Sequence, residues 1–217
     1  MDDKIDFESE RLRMVETQLI GRDIRDPLVL RAMRSVPRHE FVSSEYQRLS
    51  YTDGPLPIGS GQTISQPYIV ALMTQLLELR GDETVLEVGT GSGYQAAVLA
   101  QLTSIVHTIE RHDVLAINAR EVFKRLHISN IHVHIGDGSL GYPEFAPYAA
   151  IMVTAAAPNV PQTLLDQLEE DGRLVIPVGG RGGQYLECWR NRKGEFECKN
   201  IIPVAFVPLL GRYGWKD

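Results

Sequence analysis

The stretch Thr84-Val85-Leu86-Glu87-Val88-Gly89-Thr90-Gly91-Ser92-Gly93-Tyr94 constrains the fold of this chain more than any other. Its apolar run (Val85, Leu86, Val88) is too short for a helix and suits a buried parallel strand. Three glycines at alternate positions let the backbone turn tightly and let a ligand approach with no Cβ in the way. A helix over Gln95–Leu102 would then offer unpaired N–H groups at its start. The spacing is Gly-x-Gly-x-Gly, not the Gly-x-Gly-x-x-Gly of the dinucleotide fingerprint. Glu87 would repel a pyrophosphate, so a cationic or amine-bearing ligand is the better match. A tight turn without a ligand is the plain alternative.

Two further acids extend the pattern. The run Ser104–Glu110 ends in a carboxylate 19 residues beyond Gly91, about where a nucleotide fold places the acid that binds ribose hydroxyls. The run Ile131–Ile135 ends in Gly136-Asp137-Gly138. Each acid alone reads as a solvated loop charge. Three at the ends of three successive predicted strands would line one crevice, and adenosine with a charged amino-acid arm fits it better than a dinucleotide. The pattern resembles the S-adenosylmethionine-dependent methyltransferases.

The rest of the chain fits an α/β, doubly wound, Rossmann-like fold. Helices are predicted over 8–20 and from Asp26-Pro27 to Ser35, capping the core, and another over 68–79 opened by Pro67. Strands follow at 84–88, 104–110, 131–135, 148–153 and 173–178, with helices at 93–102, 113–126 and 161–170. Segments 184–190 and 195–207 form a C-terminal antiparallel hairpin on the mostly parallel sheet. A turn centred on Lys193 would set Cys188 and Cys198 on one face as reduced thiols. Residues 46–66 lack either period and are expected to be a long loop. The expected organisation is one domain over 1–217: N-terminal helices and active-site loop (1–80), cofactor-binding core (81–180) and C-terminal strands (181–217).

A net charge of −6 and a pI near 5.5 argue against a nucleic-acid partner. No apolar run approaches the ~18 residues of a membrane span. The acidic start (Asp2, Asp3, Asp6) is unlike a targeting signal, and two cysteines provide no disulfide framework. A cytoplasmic monomer with no membrane partner is the expectation. The six histidines are scattered, His132 and His134 alternate along a strand, and no metal is expected.

The segment Tyr51-x-Asp53-Gly54-Pro55-Leu56-Pro57-Ile58-Gly59-Ser60-Gly61-Gln62-Thr63-Ile64-Ser65-Gln66-Pro67 is more informative still. Together with Leu86–Tyr94 it closely resembles the protein-L-isoaspartate O-methyltransferases. Gly136-Asp137-Gly138, Val153-Thr154-Ala155-Ala156-Ala157-Pro158, Gly172–Gly179 and Phe206-Val207-Pro208-Leu209 carry the likeness over nearly the whole chain. The resemblance implies methylation of L-isoaspartyl carboxyls in damaged proteins and peptides, with S-adenosylmethionine converted to S-adenosylhomocysteine, as the first step of repair through a succinimide. It makes Ser65 the active-site serine. Thr63 and Ile64 beside it, and Glu87, Gly89, Thr90, Gly91, Ser92 and Gly93 at the methionine-end turn, become cofactor residues. Glu110 with Arg111 falls at the ribose, and Asp137 with Gly138 at the adenine.

The chemistry agrees with this resemblance. A side-chain carboxylate has a pKa of ~4, so at neutral pH it is already the nucleophile and needs no general base. Ser65 then reads as a hydrogen-bond donor that orients the acceptor, since no histidine–acid motif would activate it covalently. Its alternative is a cap for the helix starting near Pro67. After the fourth core strand, Thr154-Ala155-Ala156-Ala157-Pro158 lacks the Asn/Asp-Pro-Pro-aromatic clamp of exocyclic-amine methyltransferases.

Overall fold

A computed structural model describes residues 5–180 and 182–216; Asp2 and Asp3 of the acidic start lie outside them. A seven-stranded sheet forms the centre. Its strands are β3 (Thr84–Val88), β4 (Ile105–Glu110), β5 (Ile131–Ile135), β6 (Tyr148–Val153), β7 (Leu168–Gly180), β8 (Gly183–Arg192) and β9 (Glu195–Val204). They lie in the order β5-β4-β3-β6-β7-β8-β9, parallel from β5 to β7 and antiparallel through β8 and β9. The order reverses between β3 and β6, so a crevice opens at the carboxyl ends of the strands there.

Alternation along each strand builds two core layers. Val85, Val106, Ala150, Met152 and Val175 face α1 (Phe7–Met14), α2 (Pro27–Ser35), α3 (Pro67–Leu76), α4 (Tyr94–Leu99) and α5 (Asp113–Arg125). Leu86, Val88, Ile109, Ile151, Val153, Leu174 and Ile176 face the other layer, where α6 (Gln162–Leu165) supplies Leu164 and Leu165. Helix α2 starts as its sequence dictates: Asp26 caps it by accepting from Leu28 N, and Pro27 occupies the first turn. At the sheet edge, His107 and His134 stack with Phe145 and Tyr142, and burial pulls the His107 pKa down to about 4. These rings are packing elements, remote from the crevice.

Four expectations change. The 8–20 helix divides into α1 and a wider π turn, Val15–Ile20. Helix α3 stops at Leu76 instead of Leu79, with Glu78 taking the left-handed conformation. Helix α6 is a single turn, because Leu168 pairs with Tyr148 and draws the chain into β7 early. The expected loop at 46–66 contains a 3₁₀ turn (Ser44–Leu49) and a hairpin of β1 (Leu56–Gly59) and β2 (Gln62–Ile64). Those strands are too short to show a period of two, and Gly59, Ser60 and Gly61 turn between them with positive φ.

The cysteines do not share a face. Lys193 and Gly194 form a two-residue turn, which pairs Cys188 with Lys199 and Cys198 with Trp189. The register is one residue from that of a turn centred on Lys193, and one residue swaps faces. Cys188 packs toward the core and Cys198 is exposed, both as free thiols.

Candidate functional site

The turn after β3 holds its glycines for three different reasons. Gly89 has φ +96, and a Cβ there would come within 2.4 Å of Thr154 Oγ1. That hydroxyl donates to Gly89 O at 2.6 Å, tying the turn to the end of β6. Gly91 has φ +53, and its N–H donates to Glu110 Oε2 at 2.9 Å. Gly93 has φ +89 and opens α4; a Cβ there would meet Phe123 Cζ at 2.6 Å.

Above the turn lies a crevice of about 790 Å³, counting its open mouth. Thr63, Ile64 and Ser65 form one wall, Gly89, Thr90, Gly91 and Ser92 the floor, and Glu110, Arg111 and Gly138 a far side. Glu110 Oε1 also accepts from His112 N, so two backbone amides fix its carboxylate at the end of β4. Of the three strand-end acids expected to line one crevice, only Glu110 does so. Gly93 lies behind the floor, where it lets α4 pack on α5.

Glu87 is wholly buried beneath the floor. Thr108 donates its hydroxyl to Glu87 Oε2, and Thr90 in the crevice floor is 2.7 Å from Thr108 Oγ1. A hydroxyl has one proton, so the relay runs Thr90 to Thr108 to Glu87. Glu87 Oε1 has no partner. Burial, with the nearby Glu110 charge adding to it, raises the Glu87 pKa from 4.5 to about 8. The folded state therefore keeps a proton that the unfolded chain has released. Stability from this group is complete below pH 4.5 and is lost as pH rises toward 8. Glu87→Gln is expected to flatten the fall in melting temperature of the ligand-free protein between pH 5 and 8, as read by calorimetry.

Asp137 sits at the rim with its carboxylate already engaged. Oδ1 accepts from Ser139 N and Oγ at 2.9 and 2.6 Å, and Oδ2 accepts from Arg212 N at 2.7 Å. Burial works the other way, yet these bonds hold its carboxyl below the ordinary range. Arg212 belongs to a C-terminal strap, residues 207–215, whose Val207, Pro208, Leu209 and Leu210 complete the crevice wall. Sequence reasoning missed this wall. The available signal was Gly211 and Gly214, neither of which has room for a side chain.

The β1–β2 hairpin brings Ser65 to the crevice, half-buried. It is not a helix cap: Gln66 holds that position in α3, with no side-chain capping bond. A second cavity adjoins here, lined by Pro55, Gln66, Ile69 and Phe206, and it shares Thr63, Ser65, Thr154 and Val207 with the crevice. The approach to the hairpin is pinned by Arg38, fully buried, whose guanidinium donates to Ser50 O at 2.7 Å and Gly54 O at 3.4 Å. Burial lowers its pKa to about 10, so it remains charged at neutral pH. Its ring-side neighbour is Tyr94, with the guanidinium carbon 5.0 Å from the ring centre.

The arrangement joins the crevice to the second cavity across Thr63, Ser65, Thr154 and Val207. Among the described residues, no cluster of three histidine, cysteine or carboxylate side chains is placed to hold a metal. The sequence matches the family described as Protein-L-isoaspartate(D-aspartate) O-methyltransferase over residues 10–214. It is 54% identical over 212 residues to Protein-L-isoaspartate O-methyltransferase 1 of Syntrophobacter fumaroxidans, covering 98% of this chain and 99% of that protein. It is 52% identical to the Protein-L-isoaspartate O-methyltransferase of Methanoregula boonei, covering 96% of each. The fold superposes on a solved protein-L-isoaspartate O-methyltransferase with a TM-score of 0.85 at 28% identity, over 95% of this chain and 67% of that one. A Plasmodium falciparum protein-L-isoaspartate O-methyltransferase, solved with S-adenosyl-L-homocysteine, gives 0.80 at 27% identity over 92% and 98%. The chain belongs to the protein-L-isoaspartate (D-aspartate) O-methyltransferase family.

Proposed function

We propose that the protein transfers the methyl group of S-adenosylmethionine to the free carboxyl of L-isoaspartyl residues in damaged proteins and peptides. The observation that carries this is the pair of cavities meeting at Ser65 and Thr154 in a chain of this family. The residues fit the cofactor. The buried Glu87 Oε1 is left without a partner beneath the floor, an acceptor that a cationic ligand would satisfy while drawing off the carboxyl proton, and the Cβ-free surface at Gly91 allows close approach. When bound, S-adenosylmethionine supplies a sulfonium methyl that an ionised carboxylate can attack without a general base.

The chain's own part is positioning. Ser65 donates to the acceptor carboxylate from the shared wall. Gly89, Thr90, Gly91 and Ser92 hold the amino-acid end, Glu110 and Arg111 the ribose, and Gly138 beside Asp137 the adenine. Thr63 and Ile64 close the side toward the hairpin and exclude water. Holding reactants in line contributes effective molarities of about 10⁵ M or more, roughly 7 kcal/mol off the barrier. The methyl ester then closes to a succinimide, which begins repair. The whole chain acts as one methyltransferase unit, a cytoplasmic monomer without nucleic-acid or membrane partners. A net charge of −6 disfavours a nucleic-acid partner, and among the described residues no helix is long and apolar enough to cross a membrane.

Incubation with labelled S-adenosylmethionine and an isoaspartyl peptide should give a base-labile methyl ester. Transfer no greater than to the matching aspartyl peptide would reject the assignment.

A further inference from the structure

Asp137 occupies the position expected to meet adenine, yet its oxygens point into the protein. Arg212 N takes Oδ2, while Ser139 takes Oδ1 and passes the contact on by accepting from Tyr213 N at 3.0 Å. The strap is also tied to Ala156 and, at its end, to itself. Ala156 N donates to Val207 O and Leu209 N to Ala156 O, both at 2.8 Å. Trp215 N donates to Leu209 O at 2.7 Å, and its indole donates to Ala156 O at 3.0 Å. No slack remains at the crossing: a Cβ on Gly211 would lie 2.0 Å from Asp137 Oδ1. The strap's inner edge, Val207–Leu210, is crevice wall.

We propose that Asp137 governs cofactor affinity as a positioning residue, by holding the strap 207–215 against the crevice rather than by touching adenine. The proposal rests on the S-adenosylmethionine assignment above. A carboxylate accepting two amide bonds, one direct and one through Ser139, is a strong fastening for a segment with no regular secondary structure. Moving the strap would open the wall opposite the glycine turn. Direct adenine contact would instead leave the strap, and Trp215 at its end, unmoved when Asp137 is truncated.

The test is a double-mutant cycle on S-adenosylhomocysteine affinity, measured by calorimetry on the full chain. Asp137→Ala and Gly211→Ala should each weaken binding about tenfold, the size of a lost charge-assisted hydrogen bond. The double variant should be no worse than about tenfold, because residues acting through one contact do not add. Gly214→Ala serves as a third probe remote from Asp137, since its Cβ would lie 2.1 Å from Leu209 O. It too should weaken binding. In a Trp189→Phe background, Trp215 emission should shift in Asp137→Ala while a single cooperative melting transition is retained, which a general loss of structure would not produce. An additive loss of about a hundredfold in the double variant overturns the proposal, as does wild-type affinity in Gly211→Ala and Gly214→Ala. Absence of binding by the wild-type protein would overturn the cofactor assignment itself, a separate result.

Discussion

Ser65→Ala is expected to lower kcat on an isoaspartyl peptide about 10–100-fold while S-adenosylhomocysteine affinity stays within about twofold, since hydrogen bonds to charged groups contribute about 1.5–3 kcal/mol. Ser65 stands where the two cavities meet, and α3 does not use its hydroxyl as a cap. It is therefore available to an acceptor. The acceptor carboxylate needs no deprotonation, so the serine's contribution is to orient the carboxylate with one oxygen in line with the methyl. Steady-state kinetics beside calorimetry make the separation. Loss of cofactor affinity in step with rate would place Ser65 in the cofactor wall instead.

Gly93→Ala should destabilise the fold strongly. A left-handed φ of +89 is uncomfortable for alanine, and its Cβ would press 2.6 Å from Phe123 Cζ and 3.2 Å from Ala119 Cβ. Left-handed backbone costs about 1–2 kcal/mol and core overpacking about 1–3 kcal/mol, a combined loss of roughly 2–5 kcal/mol. For a chain of this size that corresponds to a melting temperature lower by roughly 5–15 °C. Scanning calorimetry against Gly61→Ala gives the internal control: Gly61 also has positive φ (+70), but open space surrounds its Cβ position. Equal losses in the two would mean that backbone conformation, not the fit of α4 on α5, makes Gly93 necessary.

The core strands were legible because each is a short apolar run closed by a polar or glycine signal, as in Val85–Val88 and Tyr148–Val153. The glycine turn was equally plain. What the residues could not convey was depth. Glu87 and Glu110 read alike as strand-end acids, yet pleat parity sends Glu87 beneath the turn and strand length brings Glu110 to the crevice. Asp137 was visible as an acid, but its partner Arg212 lies 75 residues away, a pairing no local pattern encodes. The hairpin before Ser65 escaped notice because four- and three-residue strands leave no period to count. The cysteine register turned on a single residue in a two-residue turn.

Arg38 has a consequence for how the hairpin can travel. Its guanidinium clasps the carbonyls of Ser50 and Gly54, and Pro67 begins a regular helix on the downstream side. Pro55–Gln66 is thus moored at both roots, and any excursion is a pivot about two fixed posts instead of a melting of the chain. A hairpin so moored has little conformational freedom to lose on meeting a peptide, which leaves more of the binding free energy for aligning the acceptor.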